Sequence, residues 1–146
     1  MTSNSSLAQQ DPNRTHKICP EAARLLQRLG RGGAWRYLWI KRRDGTKKTF
    51  WQRTSEAITL PDVDGADVYF GLGLTDVAGT EDSRAVHLFD PEKPNSPPVA
   101  VVNCLYCEYD DATLTDVLAR LEARGVPEPS VCVFSGGGIH VYWFLT

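Results

Sequence analysis

The chain has 146 residues, which is the length of one domain with a substantial core. Its composition, 42% apolar and 23% charged, is typical of a soluble globular protein. No apolar run approaches the about 18 residues of a membrane-spanning helix, so we expect neither a membrane span nor a membrane partner. The net charge of −2 is unevenly divided, because residues 31–53 are +7 and the rest of the chain is −9. Such a segregated basic segment is typical of a surface that binds a polyanion.

The first 17 residues are polar and lack the apolar segment of a signal peptide. We therefore expect a disordered tail over residues 1–17, one domain over residues 18–146 and a cytoplasmic location. Thiols stay reduced in the cytoplasm, so the four cysteines are expected to be buried small hydrophobes rather than disulfides.

The first predicted element is a short helix over residues 19–30, where apolar residues follow helical spacing between a proline and a glycine. Two aromatic-rich strands, WRYLWIK and KTFWQR, follow it, and the Asp-Gly turn signal at residues 44–45 predicts that they form a hairpin. DVYFGLGL, residues 67–74, predicts another strand, and the Pro-, Asp- and Gly-rich residues 75–98 predict a long loop.

The second half predicts the order β-α-β-β. VAVVNCLYCEYD, residues 99–110, is the most apolar run and predicts a central strand. A helix over residues 112–125 follows, then strand SVCVF, the turn SGGG and strand IHVYWFL. A right-handed crossover should make the first two of these strands parallel, and the hairpin returns the third beside them. The predicted fold class is therefore α+β.

Glu108 and Asp110 lie at the end of the predicted central strand. Residues at i and i+2 of a strand point the same way, so two carboxylates would leave one face side by side. Ligand sites gather at strand ends, and a divalent cation such as Mg²⁺ or Mn²⁺ relieves the repulsion between close carboxylates. The alternative is that the strand has ended there and both acids are solvated.

The turn after SVCVF predicts an anion site. Gly136, Gly137 and Gly138 leave their backbone N–H groups unshielded, and successive exposed N–H groups bind anions. Ser135 adds a hydroxyl, and His140 can donate to a phosphate oxygen. The alternative is a flexible hairpin turn beside a core histidine.

The two features are expected to meet, because the hairpin brings His140 to the same sheet edge as Glu108 and Asp110. A metal site next to a phosphate site suits a nucleoside triphosphate. CEYD, the helix after it, PEPSVCVFSGGGIHVYWFL and the upstream DVYFGLG resemble the archaeo-eukaryotic primase superfamily, in particular the primase–polymerase domains of phage, plasmid and mobile-element replication proteins. The resemblance covers residues 67–145 and extends more loosely to the N-terminal hairpin.

The resemblance implies an RRM-like β-α-β-β catalytic core preceded by a helix and a basic β-hairpin. It implies a DNA primase or polymerase that uses a divalent metal and nucleoside triphosphates. Glu108 and Asp110 would bind Mg²⁺ or Mn²⁺, and His140 would contact the triphosphate with help from Ser135. Glu108 stands where the family more often has Asp. The family's third motif, a later carboxylate, has no place before Thr146, so we expect an incomplete domain with little activity alone.

The basic hairpin is expected to bind single-stranded or primer–template nucleic acid, with aromatic rings stacking on bases. The expected contacts are Lys41, Arg42, Arg43, Lys47 and Lys48. The alternative is that the aromatic residues pack in the core and leave a solvated basic tip. In relatives a downstream helicase domain would be a further partner.

Other functions stay open. A catalytically inactive primase-like module would bind nucleic acid without chemistry. A rolling-circle nicking enzyme needs two histidines flanking a hydrophobic residue on one strand, where this chain has His140-Val141-Tyr142. A zinc site at Cys104 and Cys107 is disfavoured, because strand residues at i and i+3 face opposite ways.

Overall fold

The computed structural model of the chain describes residues 19–60, 65–86 and 91–145. The tail predicted over residues 1–17 lies outside these ranges. So do His16 and His87, the two histidines of the chain other than His140. None of the described helices is long and apolar enough to cross a membrane. The elements, in chain order, are α1 Pro20–Leu29, β1 Trp35–Arg42, β2 Lys47–Arg53, β3 Ala66–Phe70, β4 Gly73–Leu74, β5 Val101–Val102, β6 Cys104–Asp110, α2 Leu114–Glu122, β7 Val131–Phe134 and β8 Gly138–Phe144.

The predicted β1–β2 hairpin is confirmed, and β3 joins it to give an antiparallel sheet in the order β2-β1-β3. The Asp44 carboxylate closes the turn by accepting bonds from the Thr46 backbone N–H at 2.9 Å and the Thr46 hydroxyl at 2.7 Å. These bonds lower the pKa of Asp44. Gly45 adopts a φ of +85°, which favours glycine. Local turn chemistry therefore accounts for the hairpin.

The strand predicted over residues 67–74 is two strands in different sheets. β3 pairs with β1, whereas β4 pairs with β5 in a separate two-stranded sheet. At Gly71 the backbone passes so close to the Tyr37 ring that an added Cβ would lie 2.1 Å from it. Glycine is thus required where the chain leaves one sheet for the other.

The run predicted as one central strand, residues 99–110, is also divided, and among the described strands its longer part lies at an edge. Asn103 separates β5 from β6, and its side-chain amide donates to the Leu29 and Arg31 carbonyl oxygens at 2.7 and 2.6 Å. The last sheet has the order β6-β8-β7, so among the described strands β8 is central. The prediction of a central strand was wrong because an apolar run need not be buried on both faces. Leu105 and Tyr106 are 61% and 56% exposed.

β6 and β7 are both antiparallel to β8, so they run in the same direction with β8 between them. Helix α2 connects them and begins at a capping box in which the Thr113 and Asp116 side chains bond to each other's backbone N–H groups. The α+β class is confirmed, whereas the RRM-like description stays a prediction.

The last sheet has a hydrophobic core on each face. On one face, Val117 and Leu121 of α2 pack with Ile139 and Val141 of β8. On the other face, α1 and β1 pack with β6 and β8, through Leu26, Leu29, Leu38, Cys104 and Tyr142. Successive residues of a strand point to opposite faces, so β8 contributes to both cores. His140 shares a face with Tyr142 and therefore points towards the side of the first sheet.

Candidate functional site

The register between β6 and β8 places Glu108 opposite His140 and Asp110 opposite Gly138. Residues directly opposite each other in an antiparallel pair share a face. The His140 Nε2 atom lies 3.0 Å from the Glu108 Oε1 atom. Two of the three predicted catalytic residues are therefore in contact, and Asp110 follows on the same face at the rim of the sheet.

The other ring nitrogen of His140 also has a partner, since its Nδ1 atom lies 3.3 Å from the Tyr142 hydroxyl. Burial, followed by the neighbouring Cys104, Tyr106 and Glu108, raises the pKa of Tyr142 to about 12. The hydroxyl is consequently protonated at neutral pH and can donate to Nδ1, which leaves the Nε2 proton for the Glu108 carboxylate. Sequence reasoning missed Tyr142 as a site residue, although its i+2 spacing from His140 was a usable signal.

A cleft of about 870 Å³ opens between β3 and the face of the last sheet that carries His140. Glu108, Ser135 and His140 line it together with Tyr106 of β6 and Tyr69 of β3. The side chains of His140 and Glu108 are 25% and 53% exposed, so a ligand can reach both. Among the residues predicted to bind metal or phosphate, Asp110 and the three glycines lie outside the lining of this cleft.

The fold requires glycine at two of the three glycine positions of the β7–β8 turn, for different reasons. Gly136 has a φ of +92°. Gly138 runs against β6, where an added Cβ would lie 2.3 Å from the Tyr109 carbonyl oxygen. Gly137 has neither a positive φ nor any neighbour within 4 Å of an added Cβ, so the fold does not require glycine there. The backbone N–H of Ser135 and its hydroxyl both donate to the Gly138 carbonyl, at 3.0 and 3.2 Å.

Glu108 and Asp110 are the residues that could hold a metal ion. Both are exposed carboxylates on one face of β6, and hard cations such as Mg²⁺ and Mn²⁺ prefer such oxygen ligands. Within the described ranges, no group of three or more His, Cys, Asp or Glu side chains could hold a metal ion. The donor chemistry fits a divalent cation, and these residues would supply part of its coordination shell.

The five predicted nucleic-acid contacts of the hairpin are all exposed. Lys41 and Lys47 lie directly opposite each other across the β1–β2 pair, which concentrates positive charge at the tip. The Lys47 Nζ atom lies 5.9 Å from the centre of the Trp39 ring, whereas the Lys48 Nζ atom lies 2.7 Å from Glu81 Oε2. The charge of Lys48 is therefore partly neutralised.

The four hairpin aromatics expected either to stack on bases or to pack in the core lie on the face of the first sheet opposite Leu38, and each is half-buried. They are Trp35, Tyr37, Trp39 and Trp51. Trp39 stacks on Tyr69 with ring centroids 4.1 Å apart and an interplanar angle of 13°. Trp51 donates its ring N–H to the Thr80 carbonyl at 2.9 Å, which fixes the loop after β4 against this face.

The two residues considered for zinc, Cys104 and Cys107, differ in burial. Cys104 is buried, which raises the pKa of its thiol, and Cys107 is exposed. His140 and Tyr142 of the His-Val-Tyr run share one face, and Val141 is buried in the core beneath α2.

Comparisons with protein-family models, with curated proteins and with solved structures give no significant match to this chain. The resemblance to primase–polymerase domains thus rests on the motifs of the sequence.

Proposed function

We propose that this chain is the nucleotide-binding part of a primase–polymerase-type nucleotidyltransferase from a phage, plasmid or mobile-element replication protein of the cytoplasm. The observation that carries the proposal is the contact of Glu108 with His140 at 3.0 Å on the wall of a cleft of about 870 Å³. Clefts of about 300–1,000 Å³ are the usual size for small-molecule and cofactor sites.

The proposed roles follow from where each group lies. Glu108 and Asp110 would hold Mg²⁺ or Mn²⁺ through oxygens on one face of β6. The ion supplies neutralisation of the triphosphate charge and activation of the attacking 3′-hydroxyl. The Nε2 atom of His140 faces Glu108, and a proton on it could donate to a phosphate oxygen of the nucleotide instead. Positioning and charge stabilisation would then provide the catalysis.

The glycine turn supports the proposal through its backbone. Among the described residues, neither Gly136 nor Gly137 donates its N–H to a backbone carbonyl. These donors lie at the same end of β8 as His140 and are available to an anion. Because nothing in the fold requires glycine at 137, close approach of a ligand would account for it.

Isothermal titration calorimetry with a nucleoside triphosphate and Mn²⁺ tests the proposal. We expect saturable binding that His140→Ala weakens by about 10- to 100-fold, the range for a hydrogen bond to a charged group. Glu108→Gln should weaken it through the metal. Glu122→Gln is the matched control, because this exposed carboxylate ends α2 on the opposite side of the sheet and should leave the affinity unchanged.

Gly137→Ala extends the experiment to the turn. The alanine meets open space in the folded chain, so we expect normal stability but weaker nucleotide binding. The absence of binding heat in the unmodified chain, or wild-type affinity in His140→Ala, would contradict the proposed function.

A second candidate is the catalytically inactive nucleic-acid-binding module. It is favoured by the exposed Lys41–Lys47 pair. It is also favoured because β6 supplies two carboxylates, Glu108 and Asp110, where the primase–polymerase family uses three. For this module, binding of single-stranded DNA would depend on salt and would be unaffected by Glu108→Ala. In either case the proposed partners are single-stranded or primer–template nucleic acid and, in a longer chain, a downstream helicase domain.

A further inference from the structure

Exposed apolar side chains concentrate around one cleft. Within the described residues, nine large hydrophobic side chains are exposed, and six of them line the cleft that contains His140. These six are Val68, Tyr69, Val102, Leu105, Tyr106 and Phe134. Large apolar groups clustered in the open typically mark a binding surface. The cleft therefore combines a polar end, at Glu108 and His140, with apolar residues. Of those on the last sheet, Tyr106 shares the face of Glu108 and His140, whereas Leu105 and Phe134 pair with Trp143 and Ile139 and point to the opposite face.

Tyr106 is the aromatic residue best placed beside the polar end. It precedes Glu108 by two residues on β6, so both side chains leave the same face. Its ring is inclined by 22° to the ring of Tyr142 at a centroid distance of 6.3 Å, and Tyr142 lies 6.3 Å from Phe70. Tyr106 is thus the accessible end of an aromatic row, with 56% of its surface exposed.

We propose that Tyr106 is the stacking surface for the base of the bound nucleotide, an inference that rests on the proposed function. Strands rise about 3.3 Å per residue, so Tyr106 lies about 7 Å along β6 from the level of Glu108 and His140. It lies about 13 Å from the level of Asp110 and Gly138. A nucleotide with its phosphates near His140 and the glycine turn can extend its base along the sheet to Tyr106.

This assignment has a consequence for specificity. An aromatic ring presents its face to a base and does not read the hydrogen-bonding edges that distinguish one base from another. Binding through Tyr106 should therefore tolerate all four bases, and we expect their affinities to lie within a few-fold of each other.

Calorimetry in the presence of Mn²⁺, with ATP and inorganic tripolyphosphate as probes, separates the base from the phosphates. Tyr106→Ala should weaken ATP binding by about 5- to 150-fold, the range for loss of one base–aromatic stack, and leave tripolyphosphate binding unchanged. Tyr106→Phe keeps the ring and should retain ATP binding. Val77→Ala is the matched control, because Val77 is also exposed but lies outside the cleft.

The outcomes distinguish the two proposals. ATP binding at wild-type affinity in Tyr106→Ala, or an equal loss for ATP and tripolyphosphate, overturns the role of Tyr106 while the proposed function stands. Failure of the unmodified chain to bind either probe overturns both. Thermal unfolding of each variant checks its fold, and Tyr106→Thr, which suits a strand, replaces Tyr106→Ala if the latter unfolds.

Discussion

At the scale of single residues, the site is organised by partners on both ring nitrogens of His140. The Tyr142 hydroxyl lies at Nδ1 and the Glu108 carboxylate at Nε2, so the imidazole is held between a buried hydroxyl and an exposed carboxylate. A ligand that displaces Glu108 would find the ring already oriented. Orientation of this kind reduces the reorganisation that a binding or catalytic step requires.

Tyr142→Phe should reduce the loss of stability at alkaline pH. The pKa of Tyr142 is raised to about 12, mainly by burial, while an unfolded tyrosine titrates near about 10. The folded state keeps a proton that the unfolded chain loses, so this contribution is complete below about pH 10 and is lost as the pH rises through about 12. Urea unfolding between pH 8 and 12 measures the effect.

Between about pH 10 and about pH 12 the free energy of unfolding of the wild-type chain should fall with pH. In Tyr142→Phe it should fall by up to about 1.4 kcal/mol less per pH unit. Thr113→Ala is the control, because it removes the cap of α2 and lowers stability without removing a titrating group. If Tyr142→Phe keeps the wild-type alkaline slope, Tyr142 does not carry this dependence.

At the scale of secondary-structure elements, Asn103 ties the end of α1 to the start of β6. Its amide satisfies two carbonyl oxygens, of Leu29 and Arg31, near a helix end where carbonyls lack intrahelical partners. The strand that carries Glu108 is thereby anchored to a helix more than 70 residues earlier in the chain.

Asn103→Ala should destabilise the fold by about 1–3 kcal/mol, because the carbonyl oxygens of Leu29, in a part-buried bond, and of Arg31 lose their donor. Chemical unfolding monitored by far-UV circular dichroism measures the change. Asn95→Ala is the matched control, since Asn95 is exposed and should change stability by less than about 0.5 kcal/mol. Equal stability of the two variants would show that the Asn103 bonds are dispensable.

The parts of the fold that were predictable are those set by local chemistry. The Asp44-Gly45 turn and the helix patterns fix the hairpin and both helices within a few residues. The interruptions of the predicted strands at Gly71 and Asn103 were not predictable, because each depends on a contact that is distant in the sequence. Gly71 packs against Tyr37, and Asn103 bonds to the end of α1.

The candidate site was predictable to a similar extent. Strand alternation predicts one face for Glu108 and Asp110, and the hairpin predicts that His140 lies at the same sheet edge. The structure puts Glu108 against His140. The strand order was not predictable, since it depends on which strands pair rather than on their composition. The burial of single basic residues was not predictable either. Arg36, one of the basic residues of the hairpin segment, is buried and donates to the Thr54 and Glu56 carbonyls.

At the scale of the whole molecule, positive charge collects at the tip of the first sheet although the net charge is −2. Exposed charges that contact nucleic acid release counterions, so their number is visible in the salt dependence of binding. The position of those charges, rather than the net charge, should decide the affinity for single-stranded DNA.

Two double variants test whether the position of the charges decides the affinity, because each variant removes two positive charges. Lys41→Gln with Lys47→Gln should lower the slope of log affinity against log salt by about 1.4, or about 0.7 per lost phosphate contact. Arg120→Gln with Arg124→Gln alters exposed residues at the α2 side of the last sheet and should leave the slope unchanged. Fluorescence anisotropy with labelled single-stranded DNA at several salt concentrations provides the slopes, and equal losses in the two variants would refute a hairpin contact.

The sheet order also divides the site into two halves of different rigidity. β8 is hydrogen-bonded on both sides, by β6 and β7, and has a hydrophobic core on each face. Such a strand opens only with the whole domain, whereas a strand bonded on one side can fluctuate locally. We therefore expect the strand of His140 to exchange its amide protons more slowly than the strand of Glu108, which lies at an edge among the described strands. Ligand binding would be accommodated by movement of the Glu108 side of the site while His140 stays fixed.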